Sequence, residues 1–290
     1  MKMKTCLAPD NNTKTPVFKV PPNSCDAHCH IFGPASIFPY SQKASYHPPD
    51  APEAALRAMH DKLGITRAVL VQASCHGTDN RAMIDALQKY PKRYRGVCIA
   101  DDSFSIDDFR FLDEIGVKGV RFNFVTHLGG APDLLMMERV LEKVQRFNWH
   151  LVIHVNAKDL LSYSKFFDKI NMTIIVDHMG RVPTSEGIMQ DAFLLLLDFM
   201  NKKNWWVKIC GSERIALAPP FYDAVPYAQS LVEKAPERIL WGTDYPHPNI
   251  KEHMPNDADL LDLFALIVRD KKLQKQILVD NPASLYGFKD

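Results

Sequence analysis

The sequence lacks the motifs and patterns that would indicate several common classes of protein. It contains neither GxGxxG nor GxxxxGK(S/T), which excludes the usual dinucleotide sites and P-loops. Its formal net charge is only +1, so the chain has no overall attraction to nucleic acid or to an anionic membrane. Its leucine run, Leu194–Leu197, is too short to cross a bilayer.

The cysteines and the N-terminus argue against a secreted protein. The 6 cysteines form no CxxC pair, and their scattered spacing in a chain of 290 residues does not indicate a disulfide framework. Residues 1–20 are polar and lack the apolar segment of a signal peptide. We therefore expect a cytoplasmic protein that acts on a small molecule and has no nucleic-acid or membrane partner. The sequence leaves the oligomeric state open.

Eight apolar runs alternate with amphipathic stretches, a pattern typical of βαβ units around a parallel sheet. The predicted strands are 24–31, 67–74, 94–100, 117–124, 150–155, 173–178, 205–211 and 238–243. The predicted helices include 53–63, 80–90, 132–147, 187–203 and 223–234. Eight repeats predict an α/β fold consisting of a single (β/α)8 barrel over residues 24–290.

Three segments lie outside this pattern, and the sequence predicts a structural role for each. A Pro-rich arm, residues 1–23, precedes the barrel, and we expect it to be poorly ordered. The stretch 32–52 has no periodicity, and at this length it predicts a functional loop over the barrel mouth. In the tail, 271–290, the sequence predicts a last helix that ends at Asn281-Pro282 and packs under the barrel.

Several polar side chains lie at or near the C-terminal ends of the predicted strands. They are His28, His30, His154, His178 and Asp244. The C-terminal strand ends of a (β/α)8 barrel form the site where its chemistry takes place. His28 and His30 alternate with other residues, so both imidazoles point to the same face of a strand. Such a group can share a metal ion or polarise a carbonyl.

Four sequence blocks resemble the amidohydrolase superfamily, and within it the 2-pyrone-4,6-dicarboxylate lactonase group with its sulfomuconolactone hydrolase relatives. The blocks are His28-Cys29-His30-Ile31-Phe32-Gly33-Pro34, Gly119-Val120-Arg121-Phe122-Asn123-Phe124, Asp177-His178-Met179-Gly180-Arg181 and Trp241-Gly242-Thr243-Asp244-Tyr245-Pro246-His247-Pro248. The resemblance runs from about residue 24 to residue 288 and implies a hydrolase with a (β/α)8 barrel.

The resemblance also implies roles for individual residues. Asp244 would be the general base that activates water, and His28, His30 and His178 would hold and polarise the lactone carbonyl. The acidic groups of the substrate would be contacted by Tyr46, Ser74, His76, Arg121 and Arg214, with Arg181 as a further contact.

The chemistry of lactone hydrolysis agrees with these residue types. Negative charge develops on the carbonyl oxygen, so the site needs fixed donors there. An Asp beside cationic groups keeps a low pKa and stays ionised as a base. Arginine offers a planar fork that matches a carboxylate or a sulfonate. Together with these residue types, the resemblance implies a carboxylic-ester hydrolase that opens an acidic lactone, such as 2-pyrone-4,6-dicarboxylate or a muconolactone or sulfomuconolactone, in aromatic-compound catabolism.

Two positions depart from the pattern expected of the group. His127 stands where a second substrate-binding Arg is expected. The imidazole weakens one of the two anion-binding contacts, and His127 itself is still predicted to contact the substrate. His154 stands where a Tyr is expected. The added imidazole predicts one divalent metal ion, zinc first, with His28, His30, His154 and Asp244 as ligands. Metal-free operation, which the resemblance implies, stays open.

Other functions compete with this interpretation. A sugar (aldono-)lactonase and a metal-dependent decarboxylase of the aminocarboxymuconate-semialdehyde type have similar site residues. The cluster of Arg and His favours an anionic substrate over a neutral sugar. A non-catalytic barrel that binds an aromatic acid would need the arginines but not the base, so Asp244 beside the histidines argues against it.

Overall fold

Eight parallel strands form the centre of this computed structural model, which describes residues 6–289. Each strand pairs with the next along the chain. They are β1 Cys25–Cys29, β2 Arg67–Val71, β3 Tyr94–Cys98, β4 Val117–Asn123, β5 His150–His154, β6 Ile174–Val176, β7 Trp205–Lys208 and β8 Ile239–Leu240. Backbone hydrogen bonds from Ala27 N to Trp241 O and from Asp244 N to His28 O, both 2.8 Å, link the segment after β8 to β1. The predicted (β/α)8 barrel is confirmed.

Helices follow the strands and cover the outside of the barrel. They are α1 Glu53–Leu63, α2 Arg81–Lys89, α3 Ile106–Glu114, α4 Leu134–Gln145, α5 Ala157–Ser162, α6 Ser164–Phe167, α7 Asp191–Phe199, α8 Ser212–Ile215, α9 Val225–Lys234, α10 Asp257–Ile267, α11 Lys271–Lys275 and α12 Asn281–Tyr286. Five of them, α1, α2, α4, α7 and α9, lie within the predicted helical stretches. Helix α3 was not predicted, although Ser105 and Asp108 form a capping box at its start.

The strands are buried on both faces, as their continuous apolar runs indicate. Inside the barrel, Val69, Val97 and Val152 pack together, whereas Leu70 and Ile153 pack outward against the helices. The pairing of β1 with β2 shifts register between Asp26 and Cys29, where three steps on β1 match two on β2. This bulge re-aims the end of β1 towards the barrel mouth.

The tail closes the other end of the barrel, as predicted. Tyr286 is buried against residues at the starts of the strands, among them Cys25. Arg95 of β3 donates a hydrogen bond from Nε to Tyr286 O at 3.2 Å. The helix does not end at Asn281-Pro282, because Pro282 lies in the first turn of α12, where a missing N–H costs no helical hydrogen bond.

The arm and the loop 32–52 are both attached to the barrel. Phe18 N donates to Asp262 of α10 at 2.8 Å, and Asn256 donates to Asp10 at 2.7 Å. The expected poor order is therefore wrong for residues 10–18, while residues 1–5 lie outside the described residues. The loop begins and ends with a bridge between Phe32 and Ala51. No helix in the described part of the chain is long and apolar enough to cross a membrane.

Candidate active site

A small cavity lies at the C-terminal ends of the strands. It gathers most of the side chains that the sequence analysis assigns to the site. Its lining includes His30, Tyr46, Ser74, Arg121, His127, His154, His178, Arg181, Arg214 and Asp244. His28 is fully buried beneath this lining. The polar groups of the lining converge on one volume, as they do in ligand sites.

Asp244 presents its two carboxylate oxygens to different partners. Oδ2 accepts hydrogen bonds from Nε and Nη2 of Arg214, at 2.9 and 2.7 Å. Oδ1 lies 3.2 Å from His30 Nε2 and 3.5 Å from His28 Nε2. Burial alone would raise the pKa of Asp244, but Arg214 and the histidines outweigh it and hold the pKa well below the ordinary value. The carboxylate is therefore ionised at neutral pH.

The contacts of His30 define the position of its proton. Its Nδ1 lies 2.8 Å from the carbonyl oxygen of Val71, which only accepts, so Nδ1 carries a proton. In the neutral ring Nε2 then has a lone pair, and this lone pair faces Asp244 Oδ1 at 3.2 Å. Two such acceptors approach this closely when a proton or a cation lies between them. His30 Nε2 and Asp244 Oδ1 are therefore placed to bind one cation between them.

His28 belongs to a group of buried charges below the cavity. Its Nδ1 lies 2.9 Å from Lys208 Nζ and 3.2 Å from Asp177 Oδ1. Its Nε2 has no hydrogen-bond partner among the described residues. Burial and the Lys208 charge lower the pKa of His28 to about 3, so the ring is neutral at pH 7.

His178 lies on a tight segment after β6. His178, Met179 and Arg181 have positive φ values of 50°, 51° and 49°, in the left-handed region that non-glycine residues rarely adopt. This turn points the His178 ring back towards the barrel axis, where Nε2 is 3.9 Å from Asp244 Oδ1. At Gly211 a Cβ would come within 2.7 Å of His178 Nδ1, so the position needs glycine. Strained backbone of this kind is concentrated at functional sites.

The three arginines of the cavity differ in their partners. Arg121 donates from Nε to Asp177 at 2.8 Å, and Arg214 is paired with Asp244. Arg181 donates from Nε to the neutral Asn156 side chain at 3.1 Å. Among the described residues no carboxylate forms an ion pair with Arg181. Its charge is therefore the least compensated of the three.

The remaining predicted substrate contacts occupy different positions. Tyr46 reaches the cavity from the loop 32–52, and Ser74 accepts a hydrogen bond from Asn123 at 3.2 Å. His127 lies at the exposed rim on a short 3-10 helix, Thr126–Leu128. His76 is buried outside the lining, where Gly33 N donates to its Nε2 at 3.1 Å and it contacts Pro39 O through Nδ1. His76 therefore anchors the loop.

Possible ligand atoms for a metal ion come together at the cavity floor. One nitrogen from each of His28 and His30 and one oxygen of Asp244 lie within 4.8 Å of one another. Two imidazoles and a carboxylate are a donor set that suits zinc. His154 does not join this group: its Nδ1 is 3.0 Å from Asn123 Oδ1, and its Nε2 has no hydrogen-bond partner in the described part of the chain.

Sequence reasoning missed two sets of buried charges. The first set contains Asp177 and Lys208, which end the apolar runs of β6 and β7. A charged residue at the end of a buried run is the sequence signal that could have identified both. The second set joins Glu213, His247 and Asp257, with His247 Nε2 3.1 Å from Asp257 and Nδ1 3.7 Å from Glu213. No local pattern marks this set, because its members meet only through the fold.

Comparisons with known proteins agree with this geometry. Residues 25–288 match the family model described as Amidohydrolase. The chain belongs to the amidohydrolase family. A 2-pyrone-4,6-dicarboxylate hydrolase of Comamonas testosteroni is 41% identical over 285 residues, which cover 95% of this chain and 93% of that protein. A 4-sulfomuconolactone hydrolase of Rhizobium radiobacter is 37% identical over 286 residues, which cover 97% and 96%.

A solved structure shows the same likeness. The crystal structure of a probable 2-pyrone-4,6-dicarboxylic acid hydrolase from Acinetobacter baumannii, with citric acid bound, superimposes with a TM-score of 0.82. It is 30% identical and covers 92% of this chain and 100% of its own. The predicted membership of the amidohydrolases and the resemblance to their lactone hydrolases are confirmed.

Proposed function

We propose that this amidohydrolase opens the ester bond of a lactone that carries acidic groups, as a step in the breakdown of an aromatic compound. The observation that carries the proposal is the position of Asp244. Its ionised carboxylate lies at the floor of a cavity whose other polar groups are imidazoles and guanidiniums. The lactone hydrolases among its relatives support the same reaction.

The arrangement suits general-base hydrolysis of an ester. Asp244 Oδ1 takes a proton from water while the water oxygen forms a bond to the lactone carbonyl carbon. The carbonyl oxygen becomes an oxyanion beside the imidazoles of His28 and His178, which are fixed before the reaction begins. The ring C–O bond then breaks, and the leaving oxygen takes the proton from Asp244. Arg214 holds Asp244 in place through Oδ2 and leaves Oδ1 directed at the reacting atoms.

The arginines favour a substrate with a carboxylate or a sulfonate. Arg181 and Arg121 line the cavity, and Arg181 has no acidic partner among residues 6–289. A neutral sugar lactone would leave this half-buried charge without an ion-pair partner. Candidate rings are 2-pyrone-4,6-dicarboxylate, muconolactone and 4-sulfomuconolactone, contacted also by Tyr46, Ser74 and His127.

One divalent cation, zinc first, completes the proposed site. His28, His30 and Asp244 would be its ligands. The lone pair of His30 Nε2 fits this role, and His28 Nε2 would bind once the ring proton is on Nδ1. When bound, the cation would lower the pKa of a water molecule and polarise the carbonyl. The cytoplasmic location expected from the sequence stays a prediction.

A panel of lactones tests the proposal. Purified protein of measured metal content is assayed on the three acidic rings and on a neutral aldonolactone, with product detected by chromatography. We expect one acidic ring to be opened with the highest kcat/KM. A preference for the neutral ring would favour a sugar lactonase, and release of CO2 without ring opening would favour the decarboxylase.

A further inference from the structure

Lys208 is a fully buried lysine with no direct place in the reaction described above. It ends β7 beneath the cavity, and its side chain has an exposed fraction of 0%. Its Nζ lies 3.1 Å from Asp177 Oδ1 and 2.9 Å from His28 Nδ1. A buried ammonium needs acceptors for its protons, and these two atoms are the ones the structure provides.

The contact between Lys208 and His28 restricts the position of the imidazole proton. An ammonium group only donates, so His28 Nδ1 accepts from Lys208 and carries no proton itself. A proton on Nδ1 would face the ammonium protons at a nitrogen separation of 2.9 Å. The neutral ring therefore keeps its proton on Nε2, which faces the cavity floor 3.5 Å from Asp244 Oδ1.

Asp177 offers the opposite arrangement to the same atom. Its Oδ1 lies 3.2 Å from His28 Nδ1 and 3.1 Å from Lys208 Nζ. A proton on Nδ1 could be donated to this oxygen, which would free the Nε2 lone pair for a cation. Metal-binding histidines commonly donate their other ring N–H to a carboxylate in this way.

We propose that Lys208 is a positioning residue that fixes the tautomer of His28, keeping it a hydrogen-bond donor at the cavity floor and opposing its use as a metal ligand. As a donor, Nε2–H can reach the oxyanion of the lactone, a role that rests on the proposed function. Cation binding requires the His28 proton to move from Nε2 to Nδ1, where Asp177 accepts it. The balance between Lys208 and Asp177 thus sets how tightly the site holds a divalent ion.

The tautomer can be measured without any substrate. Metal-free protein labelled with ¹⁵N in histidine is examined by NMR, and the His28 ring is assigned by comparison with the His28→Gln variant. One-bond N–H coupling identifies the ring nitrogen that bears the proton. The native protein should show His28 with a proton on Nε2, and Lys208→Met should show it on Nδ1. Lys118→Met, which removes a lysine of β4 that pairs with Asp113 of α3, should leave the His28 signals unchanged.

Zinc affinity gives a second readout that does not depend on turnover. Competition with a chelating dye should show zinc binding about 10- to 100-fold tighter in Lys208→Met than in the native protein, the range typical of outer-shell partners. Asp177→Asn, which removes the acceptor for Nδ1–H, should weaken zinc binding and keep the proton on Nε2.

Several results would overturn the proposal. They are a proton on Nδ1 or on both nitrogens of His28 in the native protein, and retention of the proton on Nε2 in Lys208→Met. If Lys208→Met does not fold, the native spectrum and Asp177→Asn still decide. A protein that opens no lactone would refute the proposed function but leave these measurements intact.

Discussion

The guanidinium of Arg214 contacts a single oxygen of Asp244, donating to Oδ2 from Nε at 2.9 Å and from Nη2 at 2.7 Å. Nη1 of Arg214 donates to Pro248 O at 2.6 Å, so the side chain is fixed from both sides. Oδ1 of Asp244 faces the histidines and accepts no hydrogen bond from Arg214. This division gives a carboxylate that is held ionised through one oxygen and directed at the substrate through the other.

Asp244→Asn should lower kcat on the best lactone by about 10²–10⁴, because the amide cannot accept the proton of the attacking water. The measurement is a steady-state assay on folded protein. Asp259→Asn, which removes an exposed carboxylate paired with Lys14, serves as the control and should keep native activity. Near-native kcat in Asp244→Asn would show that another group activates the water.

Arg181→Met should weaken kcat/KM for acidic lactones by about ten- to a hundredfold, since losing a charge-assisted hydrogen bond costs roughly 1.5–3 kcal/mol. Neutral lactones should be much less affected, because Arg181 has no acidic partner within the described protein. Arg139→Met removes an exposed arginine that pairs with Asp102 and is the matched control. Equal losses on charged and neutral rings would contradict a role in recognising the acidic group.

Arg214→Met should change the pH dependence of kcat/KM. The pKa of Asp244 is held well below its ordinary value despite burial, so the native enzyme should lose activity on the acid side only as the pH falls through that lowered pKa. Without the guanidinium the pKa rises, and the acid limb should move to higher pH for acidic and neutral lactones alike. A profile that does not move would mean that a different group controls this limb.

His247→Gln should destabilise the protein by about 3–5 kcal/mol near pH 7, because it leaves the buried carboxylate of Asp257 without its cation and leaves Glu213 with Arg214 alone. Burial lowers the pKa of His247, but Asp257 and Glu213 outweigh it and raise the pKa to about 10. Because the pKa of His247 is raised in the folded state, its protonated ring contributes its full stabilisation to the fold below the unfolded-state pKa of about 6.5. This contribution is lost as the pH rises through about 10.

Urea unfolding of native protein and His247→Gln between pH 6 and pH 10 measures this effect. The difference in unfolding free energy should be largest at pH 6 and should shrink towards pH 10. His253→Gln, at an exposed histidine, should stay within about 0.5 kcal/mol of the native protein at every pH. A difference independent of pH would show that His247 contributes through packing alone.

Removal of the proposed metal ion should lower activity, and elemental analysis should find zinc or another divalent ion in the native protein. His30→Gln should lower the metal content, because His30 offers its lone pair to the shared position near Asp244. His154→Gln is the control within the cavity and should retain metal, since His154 lies outside the group of ligand atoms. Full activity in metal-free protein would instead support the metal-free mechanism.

The sequence by itself determined the barrel and most of the site. Strands buried on both faces must be continuous apolar runs, and parallel strands in a barrel bring their C-terminal ends together. These two constraints predicted a common site for His28, His30, His154, His178 and Asp244. Four of them line the cavity, and His28 lies beneath it. The resemblance to the amidohydrolases added Arg121, Arg181 and Arg214, which line the cavity.

The tertiary structure alone decided which polar groups pair. Arg214 faces Asp244, His76 anchors the loop 32–52, and Lys208 and Asp177 meet at His28. These pairings join residues that are far apart in the chain. Register shifts and left-handed turns move the side chains by a few ångströms, and the pairings depend on those movements. Periodicity reports which face a side chain occupies, but hydrogen bonding depends on distances that only the packed barrel fixes.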